Sequence, residues 1–296
     1  MKGQIVNRTP VVLVHGAWFH QSSWEHWSER FTARGYAVHV LGWPGEAGTA
    51  AEGRRRPGPS RDLRLEALLA HHEAFIRSLD TPPVLIGHSL GGLLVQHLFS
   101  IGLGRAAVAL SPMPRDSTQP NRDGSDGQPL SIPGSADDEG FFALPPSYFR
   151  QAFANTVGED EAAQLFERHV VPAPRRLMAD LGFGESPYPA DEPGIRRIIV
   201  DTATATRGPL LLVSGQEDRV IPDAVTRAAY KAYGDSAAVT DLKQFADRGH
   251  TLVVDSGWRT VADHVLAWLA ANGIEPVEAV EAVEAVETGE PINALE

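Results

Sequence analysis

Residues 82–98 read Pro-Pro-Val-Leu-Ile-Gly-His-Ser-Leu-Gly-Gly-Leu-Leu-Val-Gln-His-Leu. The proline pair punctuates, Val84-Leu85-Ile86 is a short apolar run of strand type, and the pattern turns helical from Gly91 through Leu93, Leu94 and His97 to Leu98. Ser89 therefore sits at a strand-to-helix turn, a place that strains its backbone and exposes its hydroxyl. Gly87 and Gly91 remove side chains where the strand and the helix must pass close together. The amides that open the helix aim at the space beside Ser89, where a developing oxyanion would be stabilised. In this setting Gly-His-Ser-Leu-Gly marks Ser89 as a nucleophile. Alone, the G-x-S-x-G pattern recurs by chance, and the competing reading is a buried turn serine bonded to a backbone carbonyl.

Working outward from the turn, strand and helix patterns alternate. Val11-Val12-Leu13-Val14, bounded by Pro10 and Gly16, fits a strand buried on both faces. A helix is predicted from about Ser22 to Ala33, a strand from Ala37 to Leu41, and a loop rich in Gly, Pro and Arg over 46–60. The Arg54-Arg55-Arg56 run falls in that loop and reads as solvated. Leu65, Leu68, Leu69, His72, Phe75, Ile76 and Leu79 recur at helical spacing, and Ala106 to Leu110 is a further strand. This alternation predicts an α/β fold, a mostly parallel open sheet flanked by helices, with all strand C-terminal ends along one edge.

After Ser111 the alternation stops. Residues 112–201 are rich in proline and glycine and read as an insertion forming a helical cap or lid. An extended loop is expected over 115–140, with short helices at Pro146–Ala154 and Glu159–His169. Regular alternation resumes with a strand at Leu210–Val213, a helix at Asp223–Tyr233, a strand at Val239–Phe245 and a last helix over Ser256–Ala271. The core thus comprises 1–111 and 202–275. Residues 276–296 carry Glu-Ala-Val repeats whose valines drift around a helix, an acidic low-complexity tail without a stable apolar stripe.

Bulk properties exclude several classes. The 296 residues suffice for one large α/β domain with an insertion. A net charge of −12 argues against nucleic acid as a partner. There are no cysteines, hence no disulfide framework and no thiolate chemistry. No apolar run approaches signal-peptide or membrane-span length, so no membrane partner and a cytoplasmic location are expected. His, Asp and Glu spacings match no zinc or di-metal site, so neither metal nor cofactor is expected.

A serine hydroxyl needs an adjacent base, and that base needs a carboxylate to hold its tautomer. In the chain order Ser…Asp…His, both partners belong on loops after later strands. Asp218, in Ser-Gly-Gln-Glu-Asp-Arg-Val-Ile-Pro, follows one such strand. Glu217 and Asp116 are the alternative acids, and a helix cap or surface acid is the plain reading of Asp218. Pro222 is read as starting the next helix. His250, in Ala-Asp-Arg-Gly-His-Thr-Leu, follows the last strand and is the candidate base. His71, His72, His97 and His264 lie in helices, while His15 and His20 shape the loop after the first strand. An oxyanion hole needs two amides. Leu90 supplies one and Ala17 the other, with Trp18 as the alternative one residue on.

Together these residues resemble the α/β-hydrolase superfamily, from about Val11 to Ala271 outside the insertion. Val-Leu-Val-His-Gly-Ala-Trp, residues 12–18, and the loop to Trp24 look most like small esterases related to plant methyl esterases and hydroxynitrile lyases. The lyases carry a lysine after the catalytic histidine, where this chain has Thr251, so the resemblance implies an esterase. The elbow serine rules out the aspartate nucleophile of dehalogenases and epoxide hydrolases. The resemblance also implies a sheet beneath a helical cap; the chain departs from larger members in starting directly at the strand ending in His15, so their extra N-terminal strands are expected to be missing. The expected reaction is acyl transfer to water through Ser89, His250 and Asp218, on a small hydrophobic acyl substrate. Trp18 and Phe19 are candidate pocket residues, and Phe141, Phe142, Tyr148, Phe149 and Phe153 give the insertion an aromatic side that also serves to pack it. The same scaffold hosts thioester release or cyclisation, C–C hydrolysis and cofactor-free perhydrolase or haloperoxidase chemistry, and non-catalytic receptors.

Overall fold

The computed structural model describes residues 8–114, 140–182 and 198–276. Six strands form one sheet: β1 (Pro10–Val14), β2 (Ala37–Leu41), β3 (Val84–His88), β4 (Ala106–Leu110), β7 (Leu210–Gly215) and β8 (Thr240–Phe245). Their order is β2-β1-β3-β4-β7-β8, and every pairing is parallel. All residues of β1, β3, β4 and β7 are buried, as a sheet covered on both faces requires. The edge strands β2 and β8 are only half-buried, and β8 accordingly reads Thr-Asp-Leu-Lys-Gln-Phe.

Helices α1 (Glu25–Thr32), α3 (Leu65–Arg77), α4 (Leu90–Ser100), α8 (Asp223–Lys231) and α9 (Trp258–Ala271) flank the sheet. α3 shows why the alternation was legible: Leu65, Leu68, His72 and Ile76 form its buried stripe at helical spacing. α4 is buried along nearly its whole length and packs against β1, β3 and β4.

The predicted loop over 46–60 is corrected. It holds a short helix, α2 (Ala50–Arg55), and a single 3-10 turn at Gly58–Ser60. Thr49 caps α2 by accepting the Glu52 amide at 3.2 Å, and Thr-Ala-Ala-Glu is a capping-box spacing that the Gly and Pro content obscured. Nor is Arg54 solvated in a loop. Its guanidinium donates to the Val170 carbonyl at 2.8 Å and pairs with Glu167 at 3.1 Å. Pro222 immediately precedes α8 instead of starting it.

Between β4 and β7 the described residues form β5 (Phe141–Phe142) paired antiparallel with β6 (Ala173–Pro174), α5 (Pro146–Tyr148) running into a π-helical turn at Phe149–Phe153, α6 (Glu159–His169) and α7 (Arg175–Asp180). Most of the expected 115–140 loop, the alternative acid Asp116 and the tail beyond 276 lie outside the described residues. This segment is bonded to the loop after β1 through its backbone: Val171 N–H donates to Trp18 O at 2.9 Å, and His20 N–H to His169 O at 2.8 Å. Buried Asp180 accepts from Arg64 at 2.8 Å and from the Leu65 amide at 3.0 Å, which also caps α3. Among the described residues no helix is long and apolar enough to cross a membrane.

Candidate active site

Because every strand runs the same way, the residues after β1, β3, β4, β7 and β8 share one edge. Ser89 follows β3 directly, with φ 55° and ψ −117°. A non-glycine residue in that region stores about 1–3 kcal/mol and persists only where its surroundings hold it. Here the Ser89 amide donates to Leu110 O at 3.0 Å, and the Ser89 carbonyl accepts from Leu93 at 3.2 Å and Met113 at 3.0 Å. The flanking glycines are obligatory by contact. A Cβ on Gly87 would stand 2.1 Å from the Gly91 carbonyl oxygen, and one on Gly91 equally close to that of Val14. The serine itself remains part-exposed.

Gly16, after β1, faces Ser89, and a Cβ there would lie 2.8 Å from the Ser89 Cβ. This brings the Ala17 loop against the elbow. Among the described residues, neither the Ala17 nor the Leu90 amide has a hydrogen-bond acceptor. Leu90 is the first residue of α4, where helical amides lack partners by construction. Trp18 is itself strained, at φ 62°, and is held by its indole N–H donating to Phe142 O at 3.1 Å.

On the far side, His250 Nδ1 donates to Asp218 Oδ2 at 2.8 Å, with both side chains wholly buried. The other carboxylate oxygen of Asp218 accepts the Val220 and Ile221 amides, each at 2.8 Å. Asp218 thus orients a ring and shapes its own loop, whereas the neighbouring Glu217 side chain is exposed. The Nδ1 bond leaves His250 Nε2 as the acceptor, and that nitrogen is buried with no partner among the described residues. The hydrogen bond from Ser89 to His250 is therefore not formed in this structure. In enzymes at rest such a contact is commonly long and tightens with substrate.

The other histidines are committed elsewhere. His20 accepts the Ser22 amide at Nδ1 and bonds Ala47 O at Nε2. His15 bonds Gly16 O at 3.0 Å, stacks on Trp43, and stands 3.4 Å from Glu46. Burial pushes the Glu46 carboxyl up, but His15, His20 and the Gln21 amide outweigh it and hold the group below its usual range. His71 bonds Gly42 O, His72 bonds Leu68 O within α3, and His97 bonds Ile199 O. His264 packs its ring against Phe245. Among the described residues no cluster of three or more His, Asp or Glu is placed to hold a metal ion.

Trp18 and Phe19 are buried under the segment between β4 and β7. Phe153, from the π-helical turn, stands edge-on over His250 at 5.1 Å between ring centroids and packs against both Trp18 and Phe19. Phe141 and Phe149 are buried, while Tyr148 and Phe142 are half-buried. Two residues near Ser89 and His250 carried no separate sequence signal. One is Phe153, whose place over the His250 ring no local pattern marked. The other is His88, whose Nε2 donates to the His250 carbonyl at 2.9 Å. His88 was visible only as the second letter of the elbow. Asp255 lies in the same loop as His250, and burial raises its carboxyl to about 6 against the opposing Gly257 amide, Arg248 and Thr251.

A sequence profile described as the alpha/beta hydrolase family matches residues 11–264. No curated protein sequence matches the chain. Among solved structures, a methylesterase from Arabidopsis superposes with TM-score 0.58 at 15% identity, covering 89% of this chain and 99% of its own. A pyrethroid hydrolase from Sphingobium faniae gives 0.58 at 18%, covering 89% and 98%. A monoacylglycerol lipase from Paleococcus ferrophilus gives 0.61 at 20%, covering 89% and 94%. At such identities the likeness is one of fold.

Proposed function

The chain belongs to the α/β-hydrolase family, and from that premise we propose that it is a serine carboxylic ester hydrolase working through Ser89, His250 and Asp218. The observation that carries the reading is the buried 2.8 Å bond from His250 to Asp218 on the sheet edge that also bears the strained Ser89. With Nδ1 donating to Asp218, Nε2 takes the serine proton as Oγ attacks the ester carbonyl. The Ala17 and Leu90 amides receive the oxyanion, and Asp218 stabilises the imidazolium. The imidazolium then protonates the departing alcohol. Water, deprotonated at the same nitrogen, attacks the acyl-enzyme, and the proton returns to release the acid and Ser89. No cofactor enters this sequence.

The aromatic group of Trp18, Phe19 and Phe153, the last of them edge-on over His250, supports a small hydrophobic acyl substrate as partner, and the net charge of −12 favours neither nucleic acid nor an anionic membrane surface. Residues 112–201 act in this reading as a lid inserted into a core of 1–111 and 202–275. The absence of cysteine is compatible with a cytoplasmic site of action. Fold neighbours named as a methylesterase, a pyrethroid hydrolase and a monoacylglycerol lipase point the same way.

The test is labelling by a fluorophosphonate together with turnover of a panel of acyl esters, lactones and thioesters. The wild-type chain is expected to label and to hydrolyse at least one ester. Ser89→Ala should abolish labelling and cut turnover by roughly 10⁴-fold or more. Wild-type turnover by Ser89→Ala would overturn the covalent mechanism, and labelling without ester turnover would move the chemistry to thioesters or C–C bonds.

A further inference from the structure

His250 sits in the irregular chain between β8 and α9, and its carbonyl is buried there. Among the described residues one group donates to that carbonyl: His88 Nε2, at 2.9 Å. The two rings lie 4.7 Å apart, and both residues are within 1% of complete burial. A buried carbonyl left without a donor is costly, so this bond is a strong determinant of where the His250 peptide rests. His88 is also the residue before Ser89, at the end of a strand paired on both sides to β1 and β4. The nucleophile and the base's own backbone are thereby joined through one residue.

We propose that His88 is a positioning residue, whose Nε2–H bond to the His250 carbonyl holds the backbone that carries the base on the side of the cleft facing Ser89. The assignment rests on the serine-hydrolase reading above. It requires a neutral imidazole with its one proton on Nε2, and burial supports this by pushing His88 well below the ordinary histidine range. Phe19 packs edge-on against the ring at 5.7 Å and leaves the imidazole little room to turn. The flanks of the His250 loop are held by other contacts. The Arg248 carbonyl accepts the Glu217 amide at 3.0 Å, and the Val254 and Asp255 amides bond to Thr251 O. Removing His88's donor therefore displaces the base locally and leaves the loop in place.

The test compares two near-isosteric substitutions that differ in the donor. His88→Met removes the N–H, and His88→Gln keeps an amide N–H at similar reach. With the best ester of the panel, kcat and the fluorophosphonate labelling rate of His88→Met should fall roughly 10- to 100-fold while KM stays within about 2-fold. His88→Gln should recover most of the loss at equal thermal stability. Should His88→Met not fold, His88→Phe serves as the donor-less variant. A folded donor-less variant at wild-type rate, or His88→Gln as slow as His88→Met, overturns the positioning role alone, provided Ser89→Ala is inactive. Activity in Ser89→Ala overturns both this role and the reading beneath it.

Discussion

The two sides of the cleft are built on opposite principles. On the side proposed for acid–base work, the Asp218 and His250 side chains are wholly buried and bonded: one carboxylate oxygen takes two amides and the other takes the ring. On the side proposed for the nucleophile, Ser89 and Trp18 hold left-handed backbone, Ser89 is part-exposed, and the Ala17 and Leu90 amides lack acceptors among the described residues. The lesson is a division of labour. A base must keep one tautomer, which bonding and burial secure. Under the proposed mechanism a nucleophile and its oxyanion donors must keep their valence for the substrate, so packing and strain position them instead.

Asp218→Asn would break the bonded side most severely. The amide keeps an oxygen for Val220 and Ile221 but no longer accepts firmly from Nδ1, so the imidazole loses its tautomer. Ester turnover should fall about 10³- to 10⁴-fold with little change in KM, as read from steady-state kinetics. A loss under tenfold would mean that another acid serves, and would direct attention to Asp116.

The packed side is probed by Gly16→Ala. A new Cβ 2.8 Å from that of Ser89 and 3.0 Å from the His88 carbonyl oxygen must push the Ala17 loop and the elbow apart by a few tenths of an ångström. We expect kcat/KM to fall roughly 10- to 100-fold, with a modest drop in melting temperature. If this variant kept full activity, the oxyanion donor would not depend on that close contact.

The smallest effect concerns the charge of buried Asp255, in the loop that carries His250. Asp255, raised to about 6 by burial, holds its proton in the folded state over a range where the unfolded chain, near 3.8, has lost it. This group therefore adds stability below pH 3.8 that is lost as pH rises to 6, by at most about 3 kcal/mol. Asp255→Asn should remove that component. Buried His72 and His169, each lowered to about 4, have the opposite sign: they cost stability as pH falls from 6.5 toward 4. They are common to both proteins, so the difference between the two denaturation curves isolates Asp255. Equal pH dependence in the two proteins would show that Asp255 is not held protonated.

Much of the fold was legible because its strands are short, apolar and separated by turn residues, as in Val11–Val14 and Ala106–Leu110. The stripe of α3 was legible for the same reason. The helix at Ala50–Arg55 was not, since the surrounding Gly and Pro outweighed a capping signal four residues long. Arg54 was misread because its partners, Val170 and Glu167, lie over a hundred residues away.

The sequence by itself determined the alternation that makes a parallel sheet. It also determined the strand ends at which Ser89, Asp218 and His250 must stand, because local periodicity and turn chemistry operate within a few residues. Tertiary structure alone decided the contacts around them. Examples are the carboxylate oxygen that meets the ring, the place of Phe153 over His250, and the bond from His88 to the base's carbonyl. Those depend on chain segments brought together across 32, 97 and 162 positions, and no local pattern encodes which side chain fills a space formed only when the sheet assembles.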